Sequence, residues 1–124
     1  MKAIIAVNCL GYIGRDNKLI WKSKQDLLHF KELTLNQRLL VGYNTSTLLP
    51  KLKNREIIVD DMNKIIENID WCIGGKRTYE KYCHLFTELH ISRIDNYEIG
   101  DTLFPDLKNL NPNCKIFTYN FKCD

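Results

Sequence analysis

The sequence predicts an α/β domain built on a largely parallel sheet. Three observations carry this. Residues 2–9 form an apolar, almost unbroken run, as expected of a strand covered on both faces. From Ser23 onward the pattern turns helical, with Leu27, Phe30 and Leu33 at a spacing of three and Leu28 beside them. Beyond that helix, strand-like and helix-like segments alternate, the order of an α/β fold.

The elements follow in sequence. Residues 10–21 contain Gly11, Gly14, Asp16 and Asn17 and read as a loop. Arg38 to Gly42 is a second strand, and Asn44-Thr45-Ser46-Thr47 can cap a short helix. Glu56-Ile57-Ile58-Val59 is a third strand that ends on Asp60-Asp61. Residues 61–68 suit a short helix whose stripe is Met62, Ile65, Ile66 and Ile69. Trp71-Cys72-Ile73 is a short strand stopped by Gly74-Gly75, Lys76 to Cys83 is helical, and Glu88 to Ile94 is another strand. Lys115 to Phe121 alternates, placing Ile116, Thr118 and Asn120 on one face and Phe117, Tyr119 and Phe121 on the other, as in a final strand near a sheet edge. No repeat, low-complexity tract or linker interrupts the chain, so residues 1–124 are expected to form one domain.

Bulk properties exclude several classes. A chain of 124 residues has room for one core, and 44% hydrophobic residues argue against disorder over the whole length. A formal net charge of +3, with the cations spread along the chain, does not point to nucleic acid. Cys9, Cys72, Cys83, Cys114 and Cys123 are odd in number and show no C-x-x-C spacing, so neither a disulfide framework nor a zinc site is expected. Reduced thiols fit a cytoplasmic location. The apolar start is too short for a signal peptide, and no run approaches a membrane span. His29, His84 and His90 are scattered and read as surface or half-buried imidazoles rather than metal ligands.

Two features could carry chemistry, and each has a plainer reading. Gly74-Gly75 lies between a strand and a helix, where exposed amides attract phosphate and glycine allows close approach. It could equally be a tight turn, and no G-x-G-x-x-G follows any strand. Asp26 stands three residues after Ser23, the spacing of a capping box, and a carboxylate there suits the helix dipole. Yet Trp21, Leu27, Leu28 and Phe30 surround it in sequence, and an acid among large apolar groups can hold a cationic or amidine-like heterocycle by two parallel hydrogen bonds.

Several segments, in order, resemble dihydrofolate reductase. They are Ala3-Ile4-Ile5-Ala6-Val7, the stretch Tyr12 to Trp21, Gln25-Asp26-Leu27-Leu28-His29-Phe30-Lys31, Thr34 with Leu40-Val41-Gly42-Tyr43-Asn44-Thr45, Cys72-Ile73-Gly74-Gly75-Lys76-Arg77-Thr78-Tyr79, and Ile91-Ser92-Arg93-Ile94 followed by Gly100 to Pro105. The resemblance runs from residue 1 to about 107. It implies a dihydrofolate-reductase-like mixed, mostly parallel central sheet flanked by helices. It also implies reduction of 7,8-dihydrofolate by hydride transfer from NADPH, with NADH possible, in a monomer that takes a small-molecule substrate and neither nucleic acid nor membrane. Residue by residue, it makes Asp26 the carboxylate that binds the amino-pyrimidine edge and assists protonation of the ring, with Ser92 steadying that network and Trp21 ordering water at the pocket floor. Ile5, Leu27, Phe30 and Leu49 would pack the pterin and its aryl tail, and the guanidinium fork of Arg55 would grip the glutamate carboxylate. The cofactor would lie among Ala6, Ile13, Gly14, Leu19, Gly42, Tyr43, Asn44, Thr45, Ile73, Gly74, Gly75, Lys76, Arg77, Thr78 and Tyr79. No metal is implied.

The chain also departs from the family. Ile20 replaces the proline expected before Trp21, Tyr43 stands where a basic residue is common, and Lys76 replaces a third glycine. Residues 60–70 are too few for the usual strand and loop at the adenosine end, and residues 106–124 leave room only for a shortened final hairpin or a single strand. Asp60 and Asp61 would lie near the ribose 2′ position, where an acid favours a hydroxyl over a phosphate, weakening preference for NADPH; alternatively both cap the next helix. Two rival functions stand beside this: a related reductase acting on a ribosylamino-pyrimidine, and a non-catalytic binding or structural descendant.

Overall fold

The computed structural model describes residues 1–124. It orders them as β1 (Lys2–Asn8), β2 (Tyr12–Gly14), α1 (Lys24–Thr34), β3 (Arg38–Val41), α2 (Tyr43–Ser46), β4 (Glu56–Val59), β5 (Trp71–Cys72), α3 (Lys76–Tyr82), a 3₁₀ turn (Cys83–Leu85), β6 (Glu88–Asp95), β7 (Thr102–Leu103) and β8 (Lys115–Lys122). Six strands form the main sheet in the order β4-β3-β5-β1-β6-β8, and every neighbouring pair is parallel. The antiparallel component is a separate small ladder between β2 and β7. The α/β class and the mostly parallel sheet are therefore as the sequence predicts, and the chain after Pro105 supplies one edge strand, β8. No helix is long and apolar enough to cross a membrane.

Period-two alternation divides the core between the two faces of the sheet. Ala3, Ile5, Leu40, Cys72 and Leu89 point to one face, where Tyr79, Tyr82, Cys83 and Phe86 cover them. Ile4, Leu39 and Trp71 point to the other, where Phe30 and Leu33 of α1 pack on them. In α1 the inward residues are thus Phe30 and Leu33, while Leu27 and Leu28 are exposed. His90 and Ser92 alternate with Leu89 and Ile91 along β6 and so belong to the α1 face.

The structure corrects four local expectations. Residues 10–21 are not loop throughout, because Tyr12–Gly14 forms β2. Asn44 to Ser46 lie inside α2, which starts after Gly42 with no side-chain cap. His90 is buried rather than half-exposed; it stacks on Phe117, and its two ring nitrogens contact Tyr119 and Glu88. Residues 61–68 form turns, not a helix.

The physical reason for the last correction is tertiary. A helix of that length is marginal by itself, and here its backbone groups are taken by α3. Lys81 Nζ donates to the carbonyls of Asp61 at 2.7 Å and Lys64 at 2.8 Å, and the Ile66 N–H donates to the Tyr82 hydroxyl at 3.0 Å. Lys81 also reaches both Asp60 carboxylate oxygens, at 3.1 and 3.0 Å, while the Tyr82 hydroxyl donates to Asp60 at 2.6 Å. Burial first, and then that bond to the carboxylate, push the Tyr82 phenol up to about 12. One lysine and one tyrosine thereby close the connection from β4 to β5.

The Asp60 side chain is 8% exposed and that of Lys81 27%. Lys81→Met leaves a nearly buried carboxylate without its cation. It should destabilise the protein by about 2 kcal/mol, below the range for a fully buried pair because the lysine is partly solvated. Thermal unfolding followed by circular dichroism should show Tm falling by roughly 5–10 °C. An unchanged Tm would show that the connection does not depend on Lys81.

Candidate active site

In a parallel sheet the binding crevice opens beyond the carboxyl ends of the strands, where successive connections leave in opposite directions. Here that point lies between β5 and β1: the chain leaves β1 toward β3, but leaves β5 across β1 toward β6. Gly42 follows β3, Gly74-Gly75 follow β5 and the loop from Cys9 follows β1, so all three emerge at this edge.

Asp26 enters from the first turn of α1. The backbone N–H of Asp26 donates to Ser23 Oγ at 3.2 Å, and the N–H of Lys24 donates to Asp124 Oδ2 at 2.9 Å, a cap brought from the far end of the chain. Capping is done by other side chains, and the Asp26 carboxylate makes no ion pair. It faces Ser92 of β6 instead, which pairs in register with Ala6 of β1. Burial raises the Asp26 carboxyl above the ordinary value of 3.8, and the nearby Ser92 hydroxyl pulls against that rise. Ser92 is wholly buried, and its Oγ is close to the carboxylate without completing a hydrogen bond to any protein group. Trp21 Nε1 is likewise buried with no protein partner. Tyr79 completes the surroundings: it donates to the Ile4 carbonyl at 2.6 Å. Its phenol is pushed well above its ordinary range, chiefly by burial and then by Cys72 and Asp26.

The glycines bring the starts of α2 and α3 together. The Gly42 N–H donates to the Gly74 carbonyl at 2.6 Å. A methyl group on Gly42 would lie 2.6 Å from Thr78 Oγ1, and one on Gly75 would lie 2.8 Å from Thr45 Oγ1. Gly74 adopts φ +119°, a conformation that suits glycine, and packs against the Tyr79 ring. Gly42, Thr45, Gly74, Gly75, Thr78 and Tyr79 are therefore one cluster, joined by Ile73 and Lys76 through the chain. Tyr43, Asn44 and Arg77 are exposed at its margin, and Leu19 is exposed in the segment between β2 and α1.

The loop beside the crevice is fastened by a residue that sequence reasoning missed. Asn8 is 5% exposed. Its Nδ2 donates to Asn96 Oδ1 at 3.2 Å and to the Glu98 carbonyl at 2.7 Å, while its Oδ1 accepts from the N–H groups of Leu10 and Tyr12 at 3.1 and 2.9 Å. Farther along, Asp101 accepts from the Asp16 N–H at 3.0 Å and its own N–H donates to the Gly14 carbonyl at 3.0 Å. The available signal was a polar residue closing an otherwise apolar strand.

Arg55 sits at the other end of α1. Its Nε donates to Thr34 Oγ1 at 2.9 Å, and its terminal nitrogens donate to the carbonyls of Lys53 and Lys31. Phe30, which shares the α1 face, and half-buried Leu49 stand nearer the surface, and Leu27 is exposed beside Asp26. Ile5 is buried in the core cluster that includes Tyr79, and Ile13 packs against the edge of that cluster. Asp60 is not available to a ligand because Lys81 and Tyr82 hold it, and Asp61 caps no helix but accepts from the Asn63 N–H at 2.8 Å. Open grooves of about 350 Å³, beside Met1 and Ile69, and about 420 Å³, between α1 and β8, are lined by neither Asp26 nor the glycine pair.

Two outcomes follow from this geometry. Folded Asp26 binds its proton more tightly than the unfolded chain does, so between pH 3.8 and the raised folded value stability falls as pH rises. Asp26→Asn removes that cost, so its Tm should exceed the parent's near pH 7 and the gap should close toward pH 3.8; a variant no more stable near pH 7 contradicts the assignment. Gly42→Ala should cost about 1–3 kcal/mol through overpacking against Thr78. Adding Thr78→Ala should recover part of it in a double-mutant cycle, and strict additivity would show that the two do not touch.

Known proteins resemble this chain in sequence and in fold. The family profile described as dihydrofolate reductase matches residues 1–72. The dihydrofolate reductase of Mycoplasma genitalium is 46% identical over 126 residues, covering 80% of this chain and 79% of that protein. Dihydrofolate reductase type 1 of Escherichia coli is 29% identical over 144 residues, covering 98% of this chain and 90% of its own. Among solved structures, dihydrofolate reductase from Enterococcus faecalis, complexed with NADP(H) and RAB-propyl, superposes with a TM-score of 0.71 at 27% identity, covering 86% of this chain and 77% of that one. With the fold, the extent of these matches and the sheet-edge crevice in agreement, the chain belongs to the dihydrofolate reductase family.

Proposed function

We propose that the chain reduces 7,8-dihydrofolate to tetrahydrofolate with NADPH as reductant and Asp26 as the active-site carboxylate. The observation that carries the reading is a desolvated carboxylate with no cation, relieved of capping duty by Ser23 and Asp124. Such a group has both oxygens to offer. It can accept two parallel N–H bonds from the amino-pyrimidine edge of a pterin, and binding there satisfies the charge that burial leaves exposed to cost.

The raised pKa suits proton chemistry. Asp26 holds a proton more readily than a surface aspartate and assists its delivery to the pterin ring nitrogen, directly or through water. Ser92 and Trp21 carry the two buried, unpartnered polar atoms of the site, Oγ and Nε1, which fit the ordering of that proton route. Phe30, Leu49, Leu27 and Ile5 provide the apolar surroundings for the pterin and aryl ring, and Arg55 offers its remaining N–H groups to a carboxylate.

The glycine cluster fits a nicotinamide dinucleotide, since a Cβ at Gly42 or Gly75 would fill the cradle between α2 and α3. Gly42, Gly74, Gly75, Thr45, Thr78, Lys76 and Arg77 would hold its phosphates, with Ala6, Ile13, Gly14, Leu19, Tyr43, Asn44, Ile73 and Tyr79 around the rest. When bound, the reduced nicotinamide supplies the hydride. The loop that Asn8 and Asp101 fasten would exclude water from the two rings. With Asp60 engaged by Lys81, no free acid there favours a ribose hydroxyl, and NADPH is the reductant proposed.

The assay mixes purified protein with dihydrofolate and NADPH, then with NADH, and follows loss of reduced-nicotinamide absorbance. Turnover is expected, faster with NADPH. Asp26→Asn should lower kcat/KM by about 100-fold or more. A folded wild-type protein with no turnover on either cofactor overturns the reading.

A further inference from the structure

We infer that Asp124 is a positioning residue: with Lys122 it straps the start of α1 to the end of β8, and so sets where the Asp26 carboxylate stands against Ser92. This rests on the proposed reading of Asp26 as the active-site carboxylate and adds what holds that group in place. Three bonds make the strap. The Asp124 N–H donates to the Lys22 carbonyl at 2.6 Å, Asp124 Oδ2 accepts from the Lys24 N–H at 2.9 Å, and the Lys122 N–H donates to Gln25 Oε1 at 2.9 Å. Lys22, Lys24 and Gln25 lie in the short segment between Trp21 and Asp26. None of the three bonds touches the Asp26 carboxylate, so the strap acts through the placement of backbone.

The strap closes a triangle. Ser92 of β6 pairs in register with Tyr119 of β8, and the pairing continues to Asp95 with Lys122. β8 therefore carries the position of Ser92 out to the strap. Farther along α1, His29 packs on β8 as well, its ring centroid 4.2 Å from that of Tyr119 and 5.2 Å from that of Phe121. Asp26 lies between these two attachments. Within the strap, Cys123 Sγ accepts from Asn96 Nδ2 at 3.7 Å, and Asn96 is the partner of Asn8 in the loop anchor. The first N–H groups of a helix have no partner inside it. Ser23 Oγ takes that of Asp26 at 3.2 Å, and the Lys24 N–H depends on Asp124. Without Asp124 the first turn frays, and water reaches a carboxyl whose raised pKa comes chiefly from burial. Asp124 is itself exposed. Removing its side chain opens no cavity, so any change at Asp26 reports lost placement rather than lost core.

Two measurements test this. The first needs no turnover: the Asp26 carboxyl is titrated by carbon-13 NMR. Asp26 makes no ion pair, and the Tyr79 phenol that senses it from α3 stays protonated far above this range, so the curve reports burial and Ser92. In Asp124→Ala the pKa should fall toward the ordinary value of 3.8 as water reaches the carboxyl. Asp124→Asn keeps an acceptor oxygen for the Lys24 N–H without the charge, and its titration should stay near the parent's. Gln25→Ala removes one bond of the strap and should give a smaller fall; it decides the question by the same titration if Asp124→Ala does not fold. The second measurement is kinetic. Asp124→Ala should lower kcat/KM for dihydrofolate by about tenfold and leave the KM for NADPH unchanged, and Asp124→Asn should restore most of the loss. An Asp26 titration unmoved in Asp124→Ala, or moved as far in Asp124→Asn, overturns the inference. So does a matching rise in the KM for NADPH, the mark of a general loss of structure. Absence of turnover in the parent protein overturns the reductase reading alone, because the titration still decides the strap.

Discussion

Strand β1 is bonded along both edges, to β5 and β6, and packed on both faces, by α1 on one and by α3 with its following turn on the other. A parallel strand in that position cannot face water, and its connections must cross over the sheet to return. α1 and α3 are those crossings. Because they cover opposite faces, the chain opens a gap between β5 and β1 at the carboxyl edge, and the groups that could act on a ligand emerge there.

The site combines groups that the fold would otherwise disfavour. A carboxylate at Asp26 is costly because burial raises its pKa and the only nearby relief is the Ser92 hydroxyl. That cost is tolerable because the helix start is stabilised independently, by Ser23 and by Asp124. The Asp26 carboxylate is thereby left without a helix-capping duty. Asn8 shows a related economy on the other side of the crevice: one buried amide donates twice from Nδ2 and accepts twice at Oδ1, joining the loop after β1 to the segment after β6.

The two edges of the sheet are held by contacts away from this crevice. The connection from β4 to β5 is irregular, and Lys81 and Tyr82 of α3 hold it. The opposite edge of the sheet is β8, whose end is tied to the start of α1 because Lys122 and Asp124 bond to Gln25 and Lys24. Both sets of contacts lie apart from the crevice between β5 and β1.

The sequence by itself determined the order of the six main-sheet strands and of helices α1 and α3, because period-two and period-three spacing of apolar residues needs no partner to be read. It also determined which residues resemble the family's site, from Asp26 to the glycine pair. Only the tertiary structure decided that the Asp26 carboxylate stands by Ser92 while the helix start is bonded by Ser23 and by Asp124, which arrives from the far end of the chain. It alone decided that residues 61–68 are turns and that Asp60 is spent on Lys81, because those backbone and carboxylate groups are satisfied by a helix some twenty residues away. Burial, hydrogen-bond competition and charge pairing depend on which segments meet, and local spacing does not record that.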